Sequence, residues 1–157
     1  MTKRIEGSLS AAGMQIGIVT TRWNEVVTER LLKGALDCLR TLGASADDLT
    51  IVTVPGAFEI PVVLRELASS KNYDGLIALG AVIRGDTPHF DYVAGEAASG
   101  IARVALETGV PCGFGLLTVD SSEQALERAG LKSGNKGWEA AQTVVETASL
   151  LKQLREG

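Results

Sequence analysis

The densest collection of chemistry-bearing residues in this chain is Ile83-Arg84-Gly85-Asp86-Thr87-Pro88-His89-Phe90, where a glycine, a hydroxyl and the single histidine stand together. Successive backbone amides leading into a helix can cradle a phosphate, and glycine lets the backbone come close to it. His89 would carry protons, since an unperturbed imidazole titrates close to working pH. The plainer alternative is a loop histidine that hydrogen-bonds the next helix. In Pro55-Gly56-Ala57-Phe58-Glu59, helix-start amides and the carboxylate of Glu59 suit a polyol or a polar ring edge. A glutamate that merely complements a positive helix end fits the same position. The indole of Trp23, just past a polar strand exit, suits stacking on a planar ligand and equally suits a core position under the first helix. Arg128 and Lys136 read, on one chain, as a solvated helix-end arginine and a loop lysine.

Other chemistries are excluded by what the 157 residues lack. With one histidine, and with Cys38 and Cys112 neither in C-x-x-C spacing nor near it, no zinc or iron site is expected. The two cysteines read as reduced core thiols. There is no G-x-x-x-x-G-K-[ST] and no G-x-S-x-G, and Gly113-Phe114-Gly115 falls inside a strand instead of at a strand-to-helix turn. A phosphoacceptor receiver would need acidic strand ends, whereas Thr20, Thr21 and Arg22 close the first strand. A net charge of -4 with scattered cations argues against a nucleic-acid partner. Every apolar run is broken well short of the ~20 residues that span a membrane. Neither a span nor a signal peptide is expected, and the cytoplasm is the default address.

The elements that must position these residues alternate in period. Strands are expected over Met14 to Thr20, Thr50 to Val54, Gly75 to Ile83 and Cys112 to Val119. The last two are apolar almost without alternation, as in parallel strands covered on both faces. Helices are expected over Asn24 to Leu42, after Pro55-Gly56 with Pro61 in the first turn, over Asp91 to Thr108, Ser122 to Ala129 and Gly137 to Arg155. Val27, Leu31, Ala35 and Leu39 mark the buried face of the first helix, Gly43 and Gly130 end helices, and Asp120 or Ser121 can cap one. With 45% hydrophobic and 22% charged residues, the chain reads as a single unit over residues 1–157. The β–α order predicts an α/β, flavodoxin-like doubly wound three-layer sandwich with a four-stranded parallel sheet. Such sheets bind ligands outside the carboxyl ends of their strands, where the segments above fall.

Taken together, four ordered motifs resemble the 6,7-dimethyl-8-ribityllumazine synthases over nearly the whole chain. They are Gly17-Ile18-Val19 with Arg22-Trp23-Asn24, Val54 to Pro61, Ala81 to Tyr92, and Gly134 to Ala141. The resemblance implies a cofactor-free transferase of riboflavin biosynthesis. Its reaction condenses 5-amino-6-(D-ribitylamino)uracil with 3,4-dihydroxy-2-butanone 4-phosphate, releasing phosphate and water. It further implies that the pyrimidine stacks on Trp23, with Ala81, Val82 and Ile83 against the ring. Ala57, Phe58 and Glu59 would hold the ribityl chain, Gly85, Asp86, Thr87 and Arg128 the phosphate, and His89 would move protons. Phe114, Arg128 and Lys136 would come from a neighbouring subunit.

Also by resemblance, the chain would form pentamers, and the short loop Gly130 to Gly137 leans toward an icosahedral shell. Riboflavin synthase is a further candidate partner, and no nucleic acid or membrane is expected. Residues 1–12 would form an extended arm whose Arg4 to Leu9 adds a strand to a neighbour. Trp23 departs from the phenylalanine more common in the family, and the larger ring invites flavin stacking. Two other readings remain at this point: a non-catalytic flavin- or nucleotide-binding module, and a shell protein with a vestigial site.

Overall fold

A computed structural model describes residues 1–131 and 134–157; Lys132 and Ser133, inside the expected Gly130 to Gly137 loop, lie outside the described residues. Strands β1 (Ile16–Thr21), β2 (Leu49–Val54), β3 (Gly75–Ile83) and β4 (Cys112–Val119) form one sheet in the order β2-β1-β3-β4. All pairings are parallel. The helices are α1 (Glu25–Thr41), α2 (Ile60–Ser69), α3 (His89–Thr108), α4 (Ser122–Arg128) and α5 (Lys136–Glu156). The expected α/β three-layer arrangement is therefore present, and β3 and β4 begin and end where the apolar runs do.

Two cores fill the layers. On one face Ile77, Leu79, Ile18 and Leu117 pack against Leu31, Leu39, Ala141 and Val145 of α1 and α5, with Ala125 of α4 alongside. On the other, Leu76, Ala78, Val19 and Leu116 pack against Ile60, Leu64, Ala97 and Ile101 of α2 and α3. Neighbouring residues of β3 thus enter opposite cores, the outcome expected of a central parallel strand. Close approach is achieved with small residues: a Cβ at Gly137 would collide with the Leu31 carbonyl oxygen, so α5 begins in contact with the α1 backbone. Asn135 caps α5 by accepting from the Gly137 and Trp138 amides at 2.8 and 3.1 Å.

Several boundaries differ from the periodic pattern by one or two residues, and those beside the strand ends have local features that account for them. Helix α1 starts one residue late because Asn24 is held in the left-handed region, at φ 63°. A 3-10 turn, Ala57–Glu59, precedes α2 and leaves Pro61 in the helix's first turn, where its missing N–H is harmless. Helix α3 starts two residues early, with Pro88 preceding it, so His89 stands on a helix instead of in a loop. Ser121, not Asp120, caps α4, accepting from the Gln124 amide at 3.2 Å. Residues 1–11 have no regular structure, and within them Glu6 to Ser8 lie against α5 of the same chain. The Ser8 amide donates to Ser149 Oγ at 2.6 Å and Gln153 Nε2 donates to the Glu6 carbonyl at 2.7 Å.

Candidate active site

The site grows from a gap in the sheet. Strand β1 pairs with β3 only as far as Thr20 opposite Leu79, whereas β3 continues beside β4 to Ile83 opposite Val119. The chain leaving β1 follows β2 instead: the Arg22 amide donates to the Val54 carbonyl at 2.8 Å and the Trp23 amide to the Pro55 carbonyl at 3.0 Å. Between β1 and β3 the connections run to opposite faces, which is the switch point where doubly wound sheets leave a crevice. Asn24 bridges it, Nδ2 donating to the Ala81 carbonyl at 2.9 Å in place of the missing strand. A short polar side chain is among the few that tolerate the left-handed backbone needed there.

A cleft of about 560 Å³ opens at this point. It gathers Trp23, Ala57, Phe58, Glu59, Ala81, Val82, Ile83 and His89, eight of the residues singled out from sequence. The Trp23 indole is 62% exposed, which removes the core alternative for it. Its ring lies against Gly56, where a Cβ would come within 2.5 Å of Cζ3. Glu59 has a structural duty as well as a place in the wall, since Oε1 accepts from the Gly56 amide at 3.1 Å. His89 occupies the first turn of α3, exposed, with Tyr92 and Val93 on the same helical face lining the cleft beside it.

A second cleft, about 280 Å³, lies along the β4 edge and collects Phe114, Arg128 and Lys136. Arg128 Nη1 donates to the Gln124 carbonyl at 3.1 Å, and Lys136 Nζ sits 3.3 Å from Glu139 Oε1. The three residues expected from a neighbour therefore share a cleft of their own, and none of them lines the His89 cleft. Gly85, Asp86 and Thr87 line neither; they form the exposed turn between β3 and α3. Gly85 is not in the left-handed region, and a Cβ there would meet nothing within 4 Å, so its own fold does not demand glycine.

Thr21, Asn24, Gly56, Tyr92 and Val93 also line the first cleft, and sequence reasoning did not single them out as site residues. Tyr92 and Val93 become legible once His89 is placed on a helix, because they follow it by three and four positions. A larger hollow of about 670 Å³ lies between the N-terminal arm, the start of β4 and the end of α5. It opens at the amino ends of the strands, near Tyr73 and Pro111, so volume is a poorer guide than strand direction here. No helix among the described residues is long and apolar enough to cross a membrane.

The family model for 6,7-dimethyl-8-ribityllumazine synthase matches residues 13–152. Similar proteins named 6,7-dimethyl-8-ribityllumazine synthase occur in three strains of Nitratidesulfovibrio vulgaris: Miyazaki F, DP4 and Hildenborough. Each is 57% identical over 152 residues, covering 97% of this chain and 97% of the relative. A model matching most of the chain and relatives matching along its length lead to one conclusion: the chain belongs to the 6,7-dimethyl-8-ribityllumazine synthase family.

Proposed function

We propose that the chain is a transferase that condenses 5-amino-6-(D-ribitylamino)uracil with 3,4-dihydroxy-2-butanone 4-phosphate, in the penultimate step of riboflavin biosynthesis. The pyrimidine stacks on Trp23 with one edge against Ala81, Val82 and Ile83, and the ribityl chain runs past Ala57, Phe58 and Glu59. The phosphate is held by the Gly85, Asp86 and Thr87 turn and by Arg128 of a neighbour, which also brings Phe114 and Lys136. His89 shuttles protons as the amine meets the ketone and as phosphate and water leave. Holding both substrates with amine and ketone aligned supplies the larger part of the acceleration, up to roughly 7–11 kcal/mol at the ideal limit. Proton transfer adds about 10²–10⁴-fold. No metal or organic cofactor takes part.

The observation that carries this reading is the division of the expected site between two separate clefts of one chain. A guanidinium on the β4 edge becomes useful to an imidazole on α3 only if a second copy brings the edge to the cleft. A ring of five copies accomplishes this, and the assembly proposed here is a pentamer, twelve of which close into an icosahedral shell. Residues 1–157 act as one domain in the cytoplasm, with riboflavin synthase as a candidate partner and with no nucleic-acid or membrane role. Mixing the purified chain with both substrates tests the reading: the green-fluorescent product is expected to accumulate. Absence of product would leave a binding module or an empty shell. Sedimentation velocity tests the assembly, and a species of pentamer size alone would refute the shell.

A further inference from the structure

Only Arg84 to Pro88 separate the end of β3 from the start of α3, and the middle of this turn is loosely tied. The amides of Gly85, Asp86 and Thr87 donate to no acceptor among the described residues, and the His89 amide reaches only Thr87 Oγ1, at 3.4 Å. What fastens the turn is Arg84. Its amide donates to the Val119 carbonyl at 2.8 Å, adding a rung beyond the β3–β4 ladder. Its side chain then folds back: Nε donates to Asp120 Oδ1 at 3.0 Å, Nη1 lies 3.6 Å from Asp91 Oδ1, and the guanidinium carbon lies 4.3 Å from the centre of the Phe90 ring. One planar group thus links the end of β4 to the first turn of α3, the turn that carries His89.

These side chains are well exposed, at 47% for Arg84, 64% for Asp91 and 70% for Asp120, so the ion pairs contribute little to stability. Their value is orientation. A guanidinium engaged by two carboxylates and an aromatic face has one pose, which a flexible ammonium would not share. We infer that Arg84 is a positioning residue: by clamping Phe90 and Asp91 to Asp120, it holds the amides of Gly85 to Thr87 and the imidazole of His89 in register for one phosphate ester. The inference rests on the site assignment proposed above. The role assigned to Arg84 is orientation and not phosphate contact, since its Nε is bonded to Asp120 and its Nη1 faces Asp91.

The test is steady-state kinetics on the assembled enzyme, with inorganic phosphate as a competing probe, for Arg84→Met, Arg84→Lys, Asp120→Ala and the double variant R84M/D120A. R84M is expected to raise both the KM of the phosphate ester and the Ki of inorganic phosphate by about tenfold, the scale of a small misplacement, with the pyrimidine KM within about twofold of wild type. R84K should recover part of the loss. D120A should weaken phosphate in the same direction, and the double variant should be no worse than R84M, because both remove one clamp. Unchanged constants in R84M would overturn the inference if His89→Ala is impaired in the same assay; if H89A is also unimpaired, the site assignment itself falls. Tighter phosphate in D120A would make Arg84 a direct ligand held back by the carboxylate. Equal rises in both KM values with a lowered Tm would reduce it to a structural role, and either result overturns the positioning claim.

Discussion

Gly56→Ala separates the site from the fold. The Gly56 backbone, at φ -148° and ψ -177°, is extended and open to any residue, so alanine brings no conformational strain. Its Cβ would, however, overlap Cε3 of Trp23 and lie within 2.5 Å of Cζ3, closer than side-chain carbons approach. Because the indole is 62% exposed, it can swing into solvent without opening the core. Stability should therefore change by no more than about 1 kcal/mol, the lost contact being offset by the smaller entropy of an unfolded chain without that glycine. The pyrimidine site fares worse. Stacking on an aromatic ring is worth about 1–3 kcal/mol per base. Displacing the ring without deleting it should cost the lower part of that range, a rise of about tenfold in the pyrimidine KM. Steady-state assays with the phosphate ester saturating, run beside urea unfolding, read both numbers. If the pyrimidine KM stays within about twofold of wild type while stability falls by more than about 3 kcal/mol, Trp23 is a packing residue and the stacking argument is wrong.

Arg128→Ala should raise the KM of the phosphate ester strongly and leave that of the pyrimidine unchanged, since a guanidinium fork suits phosphate oxygens; equal kinetics in variant and wild type would remove Arg128 from the site. His89→Ala should slow turnover by about 10²–10⁴-fold yet leave residual activity, because both substrates are still collected; complete loss with unchanged binding would contradict that division of labour. Added riboflavin should quench Trp23 fluorescence saturably, the exposed indole being open to a flavin ring, and a linear response would dismiss flavin binding. Burial raises the Cys112 thiol from 9.0 to about 11. The fold therefore favours the protonated form, so this contribution is whole below pH 9 and is lost as the pH climbs through 11. Unfolding midpoints measured from pH 8 to 11 should fall over that span in wild type and less in Cys112→Ala.

The strands were the most legible part of the sequence. Gly75 to Ile83 and Cys112 to Val119 are apolar on both faces and bounded by turn residues, and β3 and β4 have those limits. Helix starts were less so, because they depend on backbone choices that period does not report. The left-handed Asn24 and the helical His89 each moved a helix start by one or two residues. Seen as residue types alone, Glu59 fitted both a cap and a ligand; the structure shows the Gly56 bond that makes it a cap and places it in the cleft wall as well. Trp23 was undecided between core and surface until the close approach to Gly56 placed it outside. Arg84 escaped attention because its partners, Asp91 and Asp120, are remote or chemically ordinary in the sequence, and only the ends of neighbouring strands bring them together.

The separation of the cleft at the β1–β3 gap from the cleft along the β4 edge has a genetic consequence under the proposed assembly. In the proposed ring each subunit would lend its arginine to a pocket it does not own, so a lesion at Arg128 would harm the copy next door and a lesion at His89 would harm its bearer. Two inactive alleles of these kinds, expressed in one cell, would cover for each other wherever an intact imidazole meets an intact guanidinium across a shared boundary.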